Sequence, residues 1–518
     1  MKAKKTGGLK RADKTQGSLD SYQLGIKGVS VGVLISKSYN EYVPIYNLMA
    51  PEITEPTRAV LDLIRDRLVE TVQVNISEIL DPKSAEDVRS RFAKQADELV
   101  KKEFSHLSVE SQKYLVTKLV NEMLGLGDIE FLVSDPQLEE IVINGSYDNV
   151  WVFHKKWGWL KTNVKVSSES QIYNYASIIG RKVGRQITNL NPLMDAHLLT
   201  GDRVNATLFP ISSAGNTITV RKFAREPWTI AHFISPEAKT MSPEIASLIW
   251  LCMEYEMNIL IAGGTASGKT STLNALLAFV PPNHRIISIE DTRELMLPKY
   301  LHWVPMTTRE ANPEGKGKIT MLDLMVNSLR MRPDRIVLGE TRRQSEAEVL
   351  FEAMHTGHSV YSTLHADRAE QVKRRLTNPP ISLPEEMLES LNLIIVQYRH
   401  RKKGIRRTFE VAEVVVNESG AKTHVDINVI YRWNPKTDKI EKVGKSKRLF
   451  QEIAMHTGMS EQQIHGDMLE KQGILDWMVK NKVSTVNTVG KVIADYYNDK
   501  KQLLSAIKTN QYIQLVLS

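Results

Sequence analysis

Apolar positions recur at helical spacing from Pro56 to Thr71 and again from Ala85 to Leu124, so both stretches are expected to be helices with one buried face. Pro56 suits the first turn of its helix, where no backbone N–H is required. The period then shortens. Glu139–Asn144 and Val150–His154 read as short strands flanking the turn-rich Gly145-Ser-Tyr-Asp148. A helix is expected over Glu169–Gly184. Two further strands are expected at Arg203–Leu208 and Thr217–Lys222, parted by Ser212-Ser-Ala-Gly-Asn216. This alternation predicts a small α+β domain over residues 31–222. Pro227 falls in a break of the pattern, read as a linker over 223–236. From there strand and helix patterns take turns, with strand ends at Ala262, Asp291, Glu340 and Leu364. The expectation for 237–518 is a parallel α/β domain that turns mostly helical after about Lys447. Residues 1–30, Lys-, Gly- and Ser-rich, are expected to be a flexible basic tail.

Composition narrows the class. A chain of 518 residues with 42% hydrophobic and 25% charged residues is expected to form more than one ordinary globular domain. Its single cysteine, Cys252, excludes an intramolecular disulfide and a multi-cysteine zinc site, and suits a reducing compartment. The apolar run Ser247–Gly264 is broken by Glu254 and Glu256, so no uncharged run reaches spanning length. The basic start has no apolar region behind it, unlike a secretory signal. A cytoplasmic location is the expectation.

The formal charge of +8 is uneven. Residues 1–14 carry six Lys/Arg against one Asp, and Arg399–Arg407 carries six Lys/Arg and no acid. The runs flanking the second cluster, Leu393–Tyr398 and Thr408–Val415, have strand character, and Lys402-Lys-Gly-Ile405 reads as the turn of a hairpin. A hairpin tip bearing six cations would repel itself unless it met an acidic partner, an anionic membrane face or nucleic acid.

The sharpest chemical signal is Gly263-Gly-Thr-Ala-Ser-Gly-Lys-Thr-Ser271. Gly263, Gly268, Lys269 and Thr270 occupy the fixed positions of the phosphate loop G-x-x-x-x-G-K-[ST]. The apolar run Asn258–Ala262 precedes it as a strand, and Thr272–Phe279 follows as a helix. Backbone N–H groups of Gly264, Thr265, Ala266, Ser267 and Ser271, with the positive helix end, are expected to face phosphates. Lys269 can reach the terminal phosphates, and the Thr270 hydroxyl can hold Mg²⁺.

Three more strand ends belong to the same site if the sheet is parallel, because ligands there sit beyond the carboxyl ends of strands. Arg285-Ile-Ile-Ser-Ile-Glu-Asp-Thr-Arg-Glu294 runs into Glu290, Asp291 and Glu294, carboxylates able to orient water or hold a metal. Arg332-Pro-Asp-Arg-Ile-Val-Leu-Gly-Glu340 ends in Glu340, either a Mg²⁺ ligand, a water-orienting group, or both. Thr356-Gly-His-Ser-Val-Tyr-Ser-Thr-Leu-His-Ala366 carries His358 and His365, which suit phosphate sensing better than zinc because no paired ligands lie at zinc spacing.

These four stretches, in this order, resemble the Walker A, Asp, Walker B and His boxes of the type II/type IV secretion ATPase superfamily. The resemblance spans about 120–415, including Gly127-Asp-Ile-Glu130 and Glu139-Glu-Ile-Val-Ile-Asn-Gly145. Pro379-Pro-Ile-Ser-Leu-Pro-Glu-Glu-Met387 and Leu393–Arg399 are similar to the archaeal branch, and Trp151-Val-Phe-His-Lys-Lys-Trp-Gly-Trp-Leu-Lys161 leans to the archaellum motor. The tetracysteine insert of bacterial secretion members is absent.

The resemblance implies a RecA-like P-loop ATPase domain behind a smaller α+β domain. It implies a homohexamer using ATP and Mg²⁺, peripheral at the cytoplasmic membrane face and acting on a polytopic platform protein at the base of a filament. It also implies that Arg203 and Arg221 reach the nucleotide from the small domain. A pilus or secretion ATPase is the near alternative. A conjugation-type nucleic-acid motor is a further rival, but no DNA-reading motif is present and no nucleic acid is expected. A nucleotide-gated scaffold without hydrolysis fits poorly with Glu294 and Glu340.

Overall fold

The structure is a computed structural model. It describes residues 15–509 apart from 27, 39–40, 52, 73–81, 199–200, 224–225, 310, 312–314 and 420–421. The chain divides into two compact units, Met1–Ala224 and Arg225–Ser518.

In the first unit, strands β1 (Thr15–Ile26), β2 (Val29–Ser38), β3 (Ile45–Met49), β4 (Leu138–Ile143), β5 (Asn149–His154), β6 (Gly158–Lys165), β7 (Leu193–His197), β8 (Arg203–Thr207) and β9 (Thr217–Arg221) form one sheet. Their order is β1-β2-β3-β6-β5-β4-β9-β8-β7. Neighbours are antiparallel except β3 and β6. Buried and part-exposed residues alternate along β5, as a sheet with one covered face requires. The buried positions pack with apolar faces of the helices Glu55–Thr71, Pro82–Glu103, Val109–Leu124 and Glu169–Lys182.

Two expectations are corrected here. The expected tail over 1–30 contains a strand: Thr15–Ile26 pairs with β2, Tyr22 opposite Val33 and Ile26 opposite Val29. Leu24 and Ile26 alternate into the core, a pattern hidden by the Gly and Ser around them. Residues 1–14 lie outside the described residues. The helical run Ala85–Leu124 is two helices: the first ends at Glu103, and after a short turn Ser108 caps the second by accepting the Ser111 N–H at 3.2 Å.

The second unit is built on β10 (Ile259–Gly263), β11 (Ile286–Glu290), β12 (Trp303–Thr307), β13 (Arg335–Leu338), β14 (Ser359–Leu364), β15 (Leu393–His400), β16 (Ile405–Ser419), β17 (Lys422–Asn434) and β18 (Lys439–Lys442). The order is β12-β11-β13-β14-β10-β15-β16-β17-β18. From β12 to β15 the pairings are parallel; β16, β17 and β18 add antiparallel pairings. β10, β11, β13 and β14 are buried at every position, as expected of strands covered on both faces. This is the RecA-like α/β arrangement, preceded by an α+β domain.

The expected linker over 223–236 is also corrected. It holds the helix Ile230–Ile234, whose Ile230, Ala231, Phe233 and Ile234 are buried in the second unit's core. Thr229 starts that helix, its N–H donating to His232 Nδ1 at 3.1 Å.

After β18 the chain is helical, with helices at Leu449–Thr457, Glu461–Lys480, Val486–Asn498 and Lys500–Lys508. Lys471, wholly buried, is paired with Glu254 at 2.8 Å, with Asp467, and with the Tyr496 hydroxyl at 2.9 Å. Trp250 stacks on Phe279 at 5.1 Å between centroids and joins this cluster to the core. Among the described residues, no helix is long and apolar enough to cross a membrane.

Candidate nucleotide site

The phosphate loop follows β10 and ends in the helix Lys269–Leu277. Backbone geometry explains its glycines. Gly263 has φ +154 and Gly268 has φ +98. A Cβ on Gly263 would lie 2.4 Å from the Gln397 carbonyl oxygen, so no side chain fits there. Gly268 occupies the N-cap without a side chain to satisfy the leading N–H groups of the helix. Those donors, with the positive helix end, are what a phosphate oxygen needs. The Ser267 hydroxyl is buried with no partner among the described residues. The loop therefore fits the phosphates of a nucleoside triphosphate.

Lys269 is 9% exposed. Its Nζ donates to the Gly264 carbonyl at 3.2 Å and lies 3.3 Å from His365 Nδ1. Burial pulls its pKa below the ordinary lysine value, against the opposing pull of Glu340, Asp367 and Glu294. Asp367 also borders the loop: a Cβ on Gly264 would come within 3.0 Å of its Oδ1.

Parallel register brings the other strand ends to this edge. Ala262 pairs with Leu364, Leu338 with Ser362, and Ile289 with Leu338. Glu340 follows β13 and His365 follows β14. A continuous polar chain results. His365 Nε2 lies 2.9 Å from Glu340 Oε1. Arg342 donates to Glu340 Oε2 through Nε at 2.8 Å and through a terminal nitrogen at 2.6 Å. Its other terminal nitrogen reaches Asp291 Oδ2 at 3.0 Å. Burial and the cation of Lys269 both lower the His365 pKa, with Glu340 opposing. A neutral imidazole suits Nδ1, which can accept from Lys269, while Nε2 makes a 2.9 Å contact with the buried Glu340 Oε1 that is not aligned as a hydrogen bond.

Within the acidic stretch the three carboxylates separate by environment. Glu294 is exposed. Glu290 is 2% exposed, and its Oε1 accepts the N–H groups of Glu294 at 2.9 Å and Leu295 at 3.1 Å. Burial pushes its pKa up to about 7, while those two N–H bonds work the other way. A folded-state pKa above the unfolded one means that the native state holds the extra proton. Stability is therefore expected to fall as pH rises from about 4.5 to about 7. Glu290→Gln should flatten the pH dependence of the denaturation midpoint across that window; an unchanged slope assigns the dependence to other groups.

One assigned residue is not brought to the site. His358 precedes β14, whereas His365 follows it. Their strand spans about 20 Å at roughly 3.3 Å per residue, so His358 lies at the opposite edge of the sheet. There its Nδ1 is 3.2 Å from the Thr356 hydroxyl, beside the end of the helix Gln344–His355. Arg203 and Arg221 belong to the first unit, where they are cross-strand neighbours. Arg203 Nε donates to Asp195 at 3.0 Å. Arg342 and Asp367 were not assigned to the site from sequence, and Asp291 was expected there as a carboxylate for water or metal rather than as the partner of Arg342. The position of Arg342 two residues after the strand-end acid was the signal available.

The basic cluster is a hairpin, with Arg399 opposite Arg406 and His400 opposite Ile405. The expectation of six exposed cations is corrected. Arg401, Lys402 and Lys403 are exposed at the tip, but Arg407 is buried. Arg407 holds Asp438 through Nε at 2.8 Å and the Ala238 carbonyl at 2.7 Å.

A strand, glycine loop and helix, with acids and a histidine at neighbouring parallel strand ends, define a RecA-like P-loop domain. The chain belongs to the type II/IV secretion system protein family, whose model matches residues 192–465, and so to the type II/IV secretion ATPase superfamily. It is similar to an uncharacterized protein of Methanocaldococcus jannaschii, 35% identical over 397 residues, 75% of this chain and 70% of that protein. That relative agrees with the archaeal branch. A putative conjugal transfer protein of Mycobacterium tuberculosis is 32% identical over 266 residues, 50% of this chain and 74% of its own. The type IV secretion system protein PtlH of Bordetella pertussis is 29% identical over 306 residues, 53% of this chain and 89% of its own.

Proposed function

We propose that this protein is a motor that hydrolyses ATP with Mg²⁺ to power assembly or movement of an archaeal type IV pilus-like filament, foremost the archaellum. The observation that carries the enzymatic part is the chain Lys269–His365–Glu340–Arg342–Asp291 against the phosphate loop. The loop N–H groups and Lys269 would hold the phosphates, and Thr270 and Glu340 the metal. A terminal phosphate would compete with His365 for Lys269, which makes His365 a sensor of that phosphate. Glu340 or Glu294 would orient water. The similarity of Pro379–Met387 and Trp151–Lys161 to archaeal members supports the filament reading.

The active form on this reading is a homohexamer at the cytoplasmic membrane face, bound to a polytopic platform protein. Arg203 or Arg221 then stabilises phosphate charge from the small domain, of the same or a neighbouring chain. Phosphate release from the purified chain with Mg²⁺ and ATP tests the enzyme. Mixing Arg221→Ala chains with Lys269→Ala chains tests the arginine: partial recovery of activity is expected if it acts between chains. Mixed hexamers without recovery would restrict it to its own chain. Loss of swimming with adhesion intact, on deletion of the gene, separates the archaellum from a pilus or secretion system.

The hairpin tip is assigned to an acidic cytoplasmic loop of the platform or to anionic lipid. Replacing Arg401, Lys402 and Lys403 by Gln should leave phosphate release unchanged and weaken platform or vesicle binding, most visibly at low salt. Loss of DNA binding instead, with DNA-stimulated hydrolysis in the unaltered protein, would favour the conjugation-type motor. No change in any of these makes the tip a solvated turn.

A further inference from the structure

The phosphate loop contains one residue whose conformation its own chemistry does not favour. Gly263, Ala266 and Gly268 all have positive φ. Two are glycines, which enter that region freely. Ala266, at φ +59, carries a Cβ and is disfavoured in the left-handed region. The structure shows a contact from outside the loop at this residue. Arg406, which is 140 residues further along the chain, donates from Nε to the Ala266 carbonyl at 3.2 Å. Its Cδ would lie 3.6 Å from a Cβ on Gly268, so the stem runs along the loop.

The backbone of Arg406 is firmly placed, while its side chain is exposed. The residue sits on β16 opposite Arg399 of β15, and β15 pairs with the loop's own strand, Gln397 opposite Gly263. Gln397 donates to the Thr408 hydroxyl at 3.0 Å across the hairpin base. Arg407, the next residue, is locked by Asp438 and the Ala238 carbonyl. The hairpin base is therefore a fixed support, and Arg406 reaches from it to the loop.

We propose that Arg406 is a positioning residue for nucleotide binding: it holds Ala266 in the left-handed conformation and so keeps the loop's N–H groups turned toward the phosphates. The proposal rests on the nucleotide-binding reading above. It also ties the basic hairpin physically to the phosphate loop.

The test is a double-mutant cycle read by the Kd of a fluorescent ATP analogue, with melting temperature followed in parallel. Arg406→Gln should weaken binding about three- to tenfold, the worth of one hydrogen bond, with no change in melting temperature. Arg406→Lys, which keeps a cationic donor on a long stem, should recover part of the loss. Ala266→Gly removes the conformational penalty, so the loop no longer needs its external tie. In that background Arg406→Gln should cost less than about twofold, a coupling that independent sites would not show.

Equal loss in both backgrounds would mean that Arg406 touches the nucleotide directly and would overturn the positioning role, as would unchanged binding by Arg406→Gln. Failure of the unaltered protein to bind the analogue would instead overturn the nucleotide reading itself, a distinguishable outcome.

Discussion

Lys269→Ala is expected to abolish ATP hydrolysis and weaken nucleotide binding. Lys269 is the loop's own cation, buried to 9% exposure and held within 3.3 Å of His365 and 3.2 Å of the Gly264 carbonyl. Those partners are weak competitors for an ammonium beside a polyphosphate, which offers charge-assisted hydrogen bonds in the ground state and stronger ones as charge moves to the leaving group. Alanine removes both sets. It also leaves His365 without its donor, so the chain through Glu340 to Arg342 loses its end. Phosphate release at the normal rate in this variant would sink the phosphate-loop assignment.

Glu340→Gln is expected to retain ATP binding and lose turnover by about 10²–10⁴-fold, the range for a positioned acid or base. The swap keeps shape and removes charge. Binding through Lys269 and the loop amides should persist, because Glu340 touches His365 and Arg342 rather than the loop backbone. In kinetic terms kcat falls while KM changes little, the signature of an interaction made in the transition state. Glu294→Gln belongs to the same experiment. Its carboxylate is exposed but contributes to the field at Lys269. Full turnover in either variant excludes that residue from the catalytic role.

Contacts between residues near in sequence were legible without the fold. The phosphate loop is one such unit: its glycines, its lysine and the flanking strand and helix are consecutive, and the φ values at Gly263 and Gly268 follow from local backbone chemistry. The strand ends were legible for the same reason, since an apolar run that stops in an acid or a histidine marks its own terminus. The hairpin at Arg399–Arg407 was legible because two strand-like runs flank a Lys-Lys-Gly turn.

What depends on register and layering was not. Both His358 and His365 flank β14, and only the direction of that strand in a parallel sheet decides which one meets Lys269. Glu290, Asp291 and Glu294 are alike as letters. Packing alone buries the first, gives the second to Arg342 and leaves the third exposed. Arg407 looked like its neighbours until Asp438 and the Ala238 carbonyl buried it. The strand Thr15–Ile26 is apolar at too few positions to declare itself and exists through its pairing with β2. By itself the sequence determined the class of chemistry, because that chemistry needs particular residues in an unbroken run. The tertiary structure decided which copies of those residues serve it, because burial and strand direction are set by partners tens or hundreds of positions away.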